Sequence, residues 1–304
     1  MKSTVIALFS YKRLDTLKKC IDALKKCPES SISELIIFSD AAATVEIENK
    51  VKAVREYIAT ITGFNSIKII SREKNLGVDY NLIEGLTYMK NQYDQFIVVE
   101  DDLIVEPNFI TYLNEALDFY EDNKTIHTVS AFNWIENIPD DYPYDIYFTK
   151  RFWPWGWATW SDRMENIDWQ IKDKKEFLNS NKIQREFNKW GSDRSMMLIN
   201  VINRKIRTWD IQLDYDFFKK NATHVFPIRT LVDNIGYEPK DASHTFIYNR
   251  YKTSKKLLSN KNINLPSEIE FNEEIFKLFK HKNSLIERIK TRLYRYFGIK
   301  NSMS

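Results

Sequence analysis

Four apolar residues, Phe96-Ile97-Val98-Val99, run without alternation into three carboxylates, Glu100-Asp101-Asp102. An uninterrupted apolar run of this length predicts a strand buried on both faces, as in the middle of a parallel sheet. The same signal recurs upstream. Residues 4–10 predict a first strand that ends in Ser10-Tyr11-Lys12-Arg13, and Leu14, Leu17, Ile21 and Leu24 then share one helix face. Leu35-Ile36-Ile37-Phe38 predicts a second strand that stops at Ser39-Asp40, followed by a helix over about 45–60 and a third strand at Ile67–Ile70. The polar turn Asn75-Leu76-Gly77-Val78-Asp79-Tyr80-Asn81 opens a helix running to about 91. Beyond the carboxylates, Pro107 suits a first helical position, and Phe109, Ile110, Leu113, Ala116, Leu117 and Tyr120 recur at helical spacing. Strands alternating with helices predict βαβ units, and so an α/β fold with a mostly parallel central sheet flanked by helices. Every strand of this half ends in polar residues, which gathers their tips along one edge, where open α/β sheets hold ligands.

The second half is less regular. Residues 128–134 predict a further strand, 165–205 a charged helical region, and Val225-Phe226-Pro227 a last strand. Between them, Arg151-Phe152-Trp153-Pro154-Trp155-Gly156-Trp157-Ala158-Thr159-Trp160 fits no single face of a helix or strand. Its rings read either as a core plug or as a platform for a sugar face or a nucleobase. Trp209-Asp210-Ile211-Gln212-Leu213-Asp214-Tyr215 has helical spacing, with Trp209, Leu213 and Phe217 inward. From Lys277 onward eight basic residues face one acid, Glu287, beside apolar positions Leu285, Ile289, Leu293 and Tyr296. This predicts a basic amphipathic helix within 277–300, suited to an anionic membrane surface. The expected domains are 1–250 and a C-terminal helical extension over 251–304.

Composition narrows the chemistry. The chain has 304 residues, 14% aromatic, and a net charge of +3, too small to argue for nucleic acid. Cys20 and Cys27 lie about two helical turns apart, too far for a disulfide, which fits a reducing cytoplasm. The N-terminal apolar run is too short for a signal peptide, and no run reaches membrane-span length. Neither Gly-x-Gly-x-x-Gly nor Gly-x-x-x-x-Gly-Lys occurs, so a glycine-cradled dinucleotide or P-loop phosphate is disfavoured. Three adjacent carboxylates at a strand tip repel one another unless a divalent metal or a cationic group lies between them.

These blocks, in this order, resemble glycosyltransferases of the GT-A fold, and most specifically N-acetylglucosaminyltransferase I and related bacterial surface-polysaccharide transferases. The blocks are Val98–Leu103 with Pro107-x-Phe109, Val129-Ser130-Ala131-x-Asn133, Phe152-x-Pro154-x-Gly156-Trp157, Trp209-Asp210 and Ser243-His244. The resemblance implies inverting transfer from a nucleotide-diphosphate sugar with Mn²⁺ or Mg²⁺. It implies that Asp102 binds the metal, with His244 as a second ligand, and that Glu100 and Asp101 contact the donor's sugar or ribose. Arg13 and Asp40 match residues that hold uracil, which points to a UDP-sugar such as UDP-GlcNAc. Asn75, Asp79 and Trp157 complete the donor-contact set, although the 75–81 turn is closer to the broad family-2 transferases. Asp210 matches the general base, and the acceptor is a hydroxyl of a glycan or lipid-linked molecule. The expected setting is the cytoplasm, at the inner face of the plasma membrane. A sugar-nucleotide nucleotidyltransferase and a non-catalytic carbohydrate-binding protein are the alternatives; the first lacks its glycine-rich loop here, and the second leaves the carboxylates idle.

Overall fold

A computed structural model of the chain describes residues 4–236, 248, 250–251 and 263–299. The first half follows the predicted alternation: β1 (Val5–Ser10), α1 (Leu14–Leu24), β2 (Glu34–Ser39), α2 (Glu48–Ile58), β3 (Ser66–Ser71), α3 (Gly77–Gln92) and β4 (Gln95–Glu100). The strands pair in parallel in the order β3-β2-β1-β4. Both faces of β1 and β4 are covered. Ile6, Leu8, Ile97 and Val99 join a core packed under α1 and the later helix α4 (Phe109–Tyr120). Ala7, Phe9, Phe96 and Val98 join a second core on the face that α3 covers. Two-sided burial is why these strands show no polar alternation.

The second half extends the sheet with mixed directions. β5 (Leu103–Val105) leaves the sheet, and β6 (Ile126–Ser130), β7 (Ile146–Thr149), β8 (Trp157–Trp160) and β9 (Thr223–Pro227) complete the order β3-β2-β1-β4-β8-β6-β9-β7. β8 runs antiparallel to both β4 and β6, whereas β6 and β9 are parallel. The strand expected over 128–134 is therefore shifted: its ladder ends at Ser130, and the Asn133 carboxamide then braces a turn through Ile135 and Ile228. The aromatic stretch resolves into an irregular entry and a central strand. Trp157 fills the core beneath α3, while Ala158 and Trp160 fill the opposite one.

The charged region 165–205 supplies α5 (Lys174–Asn179), α6 (Asn181–Phe187) and α7 (Arg194–Ile202), which close a third small core against α8 (Asp210–Lys219). β10 (Val232–Asn234) pairs antiparallel with β5 as a separate two-stranded ribbon. The tail is two helices, not one: α9 (Glu273–Lys282) and α10 (Leu285–Tyr296), broken at Asn283-Ser284. Cys27 falls beyond the end of α1, and both cysteines are buried and free. No helix among the described residues is long and apolar enough to cross a membrane.

Candidate active site

Parallel register aligns Ser10 with Ser39 and Phe9 with Glu100, so β1, β2 and β4 end level with one another. Asp101 continues β4 by donating its N–H to the Phe9 carbonyl at 3.0 Å. Arg13, at the start of α1, reaches back across this edge. Its Nη2 donates to Asp101 Oδ1 at 2.7 Å and to Asp102 Oδ2 at 2.8 Å, and the Tyr11 N–H donates to Asp101 Oδ2 at 3.2 Å. The cationic group demanded by adjacent carboxylates is thus partly supplied from within. Burial opposes the Arg13 charge, but Asp101 and Asp102 outweigh it and hold the guanidinium firmly protonated. Burial pushes Asp101 up to about 6 despite Arg13, and pushes Glu100 upward too, with Asp102 and Asp101 adding repulsion.

Asp102 is left incomplete. Its Oδ1 is buried and has no hydrogen-bond partner among the described residues. A buried carboxylate oxygen without a donor is costly unless something cationic reaches it. Hard divalent cations favour such oxygens, and Mg²⁺ commonly takes one or two carboxylates with the substrate's phosphates completing the shell. Among the described residues no group of three or more His, Cys, Asp or Glu is placed to hold a metal unaided. His244, the expected second ligand, lies outside the described residues.

Asp40 performs a different task from the one expected. Its Oδ1 accepts the N–H groups of Ala41 and Leu76, both at 2.9 Å. Its Oδ2 accepts from Asn75 Nδ2 at 3.0 Å and the Gly77 N–H at 2.9 Å. The carboxylate thus meets the orphan donors at the start of α3, where its charge also suits the helix dipole. Two bonds per oxygen use all its acceptor positions, so Asp40 builds the turn that Asn75 completes, and the geometry offers uracil no free acceptor there. A cavity of about 330 Å³ opens beside this turn, lined by Tyr11, Arg13, Asn75, Gly77, Glu100 and Asp101 among others.

Asp79 turns away from that cavity, toward Arg207, whose Nε and Nη2 reach it at 3.1 and 2.5 Å. Arg207 also donates to the Leu76 carbonyl at 3.2 Å, which fastens the 75–79 turn to the segment entering α8. Trp157 belongs beneath the site, not in it. It is fully buried, with its ring stacked 6.1 Å from Trp209 and edge-on to Phe152. A side chain with no exposed surface cannot meet a donor, so its part is to seat Trp209 and, through it, the start of α8.

Asp210 stands at that start. Its carboxylate accepts from the Thr208 hydroxyl and lies on the wall of a second cavity of about 190 Å³, with Arg151, Trp153, Trp155 and Tyr251. Burial raises the Asp210 pKa, the Thr208 bond lowers it, and Asp214 adds to the rise. Asp210 in turn adds to the rise at Glu100, after burial, Asp102 and Asp101. Its neighbours are committed elsewhere. Asp214 receives Arg194 through two bonds of 2.7 Å and the Phe152 N–H at 2.9 Å, and Asp216 binds Lys220 at 2.8 Å and the Asp168 N–H at 3.0 Å. Among the described residues Asp210 has no ion pair. Sequence reasoning missed Arg151, held by Asp193 through two bonds of 2.8 Å, as well as Arg194 and Arg207. Their partners are remote in the chain, and no spacing signal announces them.

The model of the GNT-I family matches residues 1–175, more than half of the 304-residue chain. That span covers β1 to β8 and the acidic triplet but stops before Asp210. No curated protein matches. Among solved structures, the chain is similar to the mannosyltransferase PcManGT from Pyrobaculum calidifontis in complex with GDP-Man and Mn²⁺. That match has 8% identity and a TM-score of 0.42, and covers 72% of this chain and 68% of the other. Residues 1–349 of S. aureus TarS match with 10% identity and a TM-score of 0.43, over 78% of this chain and 61% of that one. The chain spans 37% of the longer TarS structure.

Proposed function

The chain belongs to the GNT-I family and is a glycosyltransferase, and on that premise we propose inverting transfer from a UDP-sugar to a hydroxyl of a glycan or lipid-linked acceptor. UDP-GlcNAc is the first donor to try, and bacterial surface-polysaccharide synthesis is the setting this reading favours. The observation that carries it is the division of labour among carboxylates: among the described residues Asp102 keeps a buried oxygen without a bond, whereas Asp210 makes no ion pair.

In this reading the 330 Å³ cavity takes the nucleotide and the 190 Å³ cavity takes the acceptor. Asp102 Oδ1 would hold Mn²⁺ or Mg²⁺. A bound divalent cation stabilises the negative charge that gathers on a departing diphosphate. Arg13 bridges Asp101 Oδ1 and Asp102 Oδ2, which leaves Asp102 Oδ1 without a hydrogen bond among the described residues. Tyr11 and the Asn75–Gly77 turn shape the walls against which the nucleoside lies. Glu100 and Asp101 would accept hydrogen bonds from ribose or sugar hydroxyls. Asp210 takes the proton from the acceptor hydroxyl as its oxygen attacks the anomeric carbon, a role that needs an ionised and unpaired carboxylate. One base acting from the acceptor side gives a single displacement, hence inversion.

Incubation with Mn²⁺ and a panel of UDP-, GDP- and CDP-sugars tests this. Release of UDP, coupled to a glycosylated product, is the expected result. Equal turnover of the GDP- and UDP-sugars would remove the uridine assignment, and full activity in excess chelator would remove the metal.

A further inference from the structure

The last helix shows its apolar side to the outside. A surface helix ordinarily turns its apolar stripe to the core, and α9 does so, burying Ile275 and Phe279. α10 is inverted. Thr291 is its buried residue, Arg288 Nη1 donates to the Ser192 carbonyl at 3.0 Å, and Arg295 Nε donates to the Tyr248 carbonyl at 3.1 Å. Tyr294 adds an edge-on contact with Tyr248 at 4.9 Å. On the opposite side Leu285, Ile286, Ile289, Leu293, Tyr296 and Phe297 are exposed, Ile286 by 74% and Tyr296 by 83%. Polar bonds therefore fix the orientation, and Ser284 caps the helix by accepting the Glu287 N–H at 3.3 Å.

Charge says what covers the stripe. Exposed Lys290 and Arg292 flank it, the last turn of α9 brings Lys280 and Lys282, and the one acid of α10, Glu287, is paired with Lys290 at 3.6 Å. A second copy docked through the same face would set these basic flanks against each other, because a two-fold contact is self-facing. An anionic bilayer satisfies both halves. Apolar side chains enter the acyl boundary, basic ones meet headgroups, and aromatic rings sit at the interface.

We propose that α10 is an interfacial helix that docks this protein on an anionic lipid bilayer. The docking rests on the exposure and charge of α10 alone. Its consequence for the reaction rests on the transferase reading above. The root of α10 is tied into the acceptor side of the site: the Asn283 carbonyl accepts from Ser192 N and Oγ at 3.2 and 2.9 Å, and Arg151 Nη1 donates to Asn283 Oδ1 at 3.4 Å. Arg151 walls the cavity beside Asp210. Docking through α10 holds that cavity next to the membrane, where a lipid-linked acceptor presents its headgroup.

The test is sedimentation of the full chain with phosphatidylcholine vesicles, with and without phosphatidylglycerol. Binding to the mixed vesicles, absent with phosphatidylcholine alone and reduced by salt, is expected. The double variant Ile289→Glu/Leu293→Glu should lose about tenfold or more in partitioning, with unchanged melting temperature and unchanged UDP release on a soluble acceptor. Failure of the wild type to sediment, equal binding to neutral vesicles, or undiminished binding by the variant would overturn the proposal. So would lipid-free dimerisation in light scattering that the same substitutions abolish, since it gives the stripe to a second copy. Loss of all sugar transfer with vesicle binding intact would count against the transferase reading and not against the docking.

Discussion

A carboxylate locked in a bidentate pair with a buried guanidinium is poorly placed to take a proton from a substrate, and this separates Asp210 from Asp214. Asp210→Asn should bind donor almost normally while turnover falls about 10²–10⁴-fold, read by calorimetry beside single-turnover kinetics. Asp214→Asn should instead lower the melting temperature, since it leaves the buried Arg194 guanidinium without its counter-charge, a defect of about 3–5 kcal/mol. A normal melting temperature with a selective loss of turnover at Asp214 would exchange the two roles. The acid limb of kcat/KM should lie above the ordinary carboxylate range, because burial raises the Asp210 pKa and the base acts ionised. Stability follows the same sign. A folded pKa above the unfolded one means that ionised Asp210 is disfavoured in the folded state at neutral pH, a cost that fades as pH falls through the raised value. Asp210→Asn should therefore melt no lower than wild type at pH 7, and its advantage should shrink on acidification. Asp102→Ala should abolish the Mn²⁺-dependent part of UDP binding. The carboxylate triplet was legible in the sequence because it follows a buried strand, and Trp209-Asp210 only through the family resemblance. Which oxygen stays free was not, since that depends on Arg13, Arg194 and Thr208 converging through the fold.

Among the elements, the turn between β3 and α3 lines the cavity that the proposal gives to the donor. Gly77 has φ +77°, and a Cβ there would stand 2.7 Å from Arg207 Nη2. Gly77→Ala is expected to cost about 1–2 kcal/mol in backbone strain alone and to displace Arg207, so the donor KM should rise more than kcat falls. Arg207→Ala, by contrast, should change stability by no more than about 1 kcal/mol, because the Arg207 side chain in its pair with Asp79 is 61% exposed. A donor KM unaltered by both substitutions would detach this turn from the nucleotide. The strands of the first half were readable since each is a short apolar run closed by polar residues. β8 was not: Trp157 and Trp160 are buried toward opposite cores, and the Pro and Gly just before them mask a strand that begins immediately afterwards. β5 and β10 are three residues each, too short for any periodicity to register.

At the scale of the whole molecule, α9 belongs to the core and α10 does not. Phe279 packs against Trp134, Trp190 and Phe226, with ring centroids 4.9, 5.5 and 6.2 Å away. Phe279→Ala should cost about 3–5 kcal/mol, measured by denaturant unfolding, whereas removing the chain after Ser284 should leave stability near that of the full length. The composition change at Lys277 marked a basic tail, but only packing reveals that its first helix seals the aromatic cluster. The short ribbon of β5 and β10 reaches further. Val232–Asn234 pairs beside the acidic triplet, the Ile235 N–H holds the Asp102 carbonyl at 2.9 Å, and Gly236 passes so close that a Cβ would lie 2.1 Å from Asp102 Oδ2. Contacts between such distant parts of a chain carry a loop-closure cost and form late. During synthesis the parallel half emerges first and can gather its strands, while the corner around Asp102 stays uncovered until the ribosome has delivered Gly236. On the proposed reading, the strand edge given to the nucleotide can therefore assemble earlier in translation than the corner given to the metal, which waits for a segment more than a hundred residues further on.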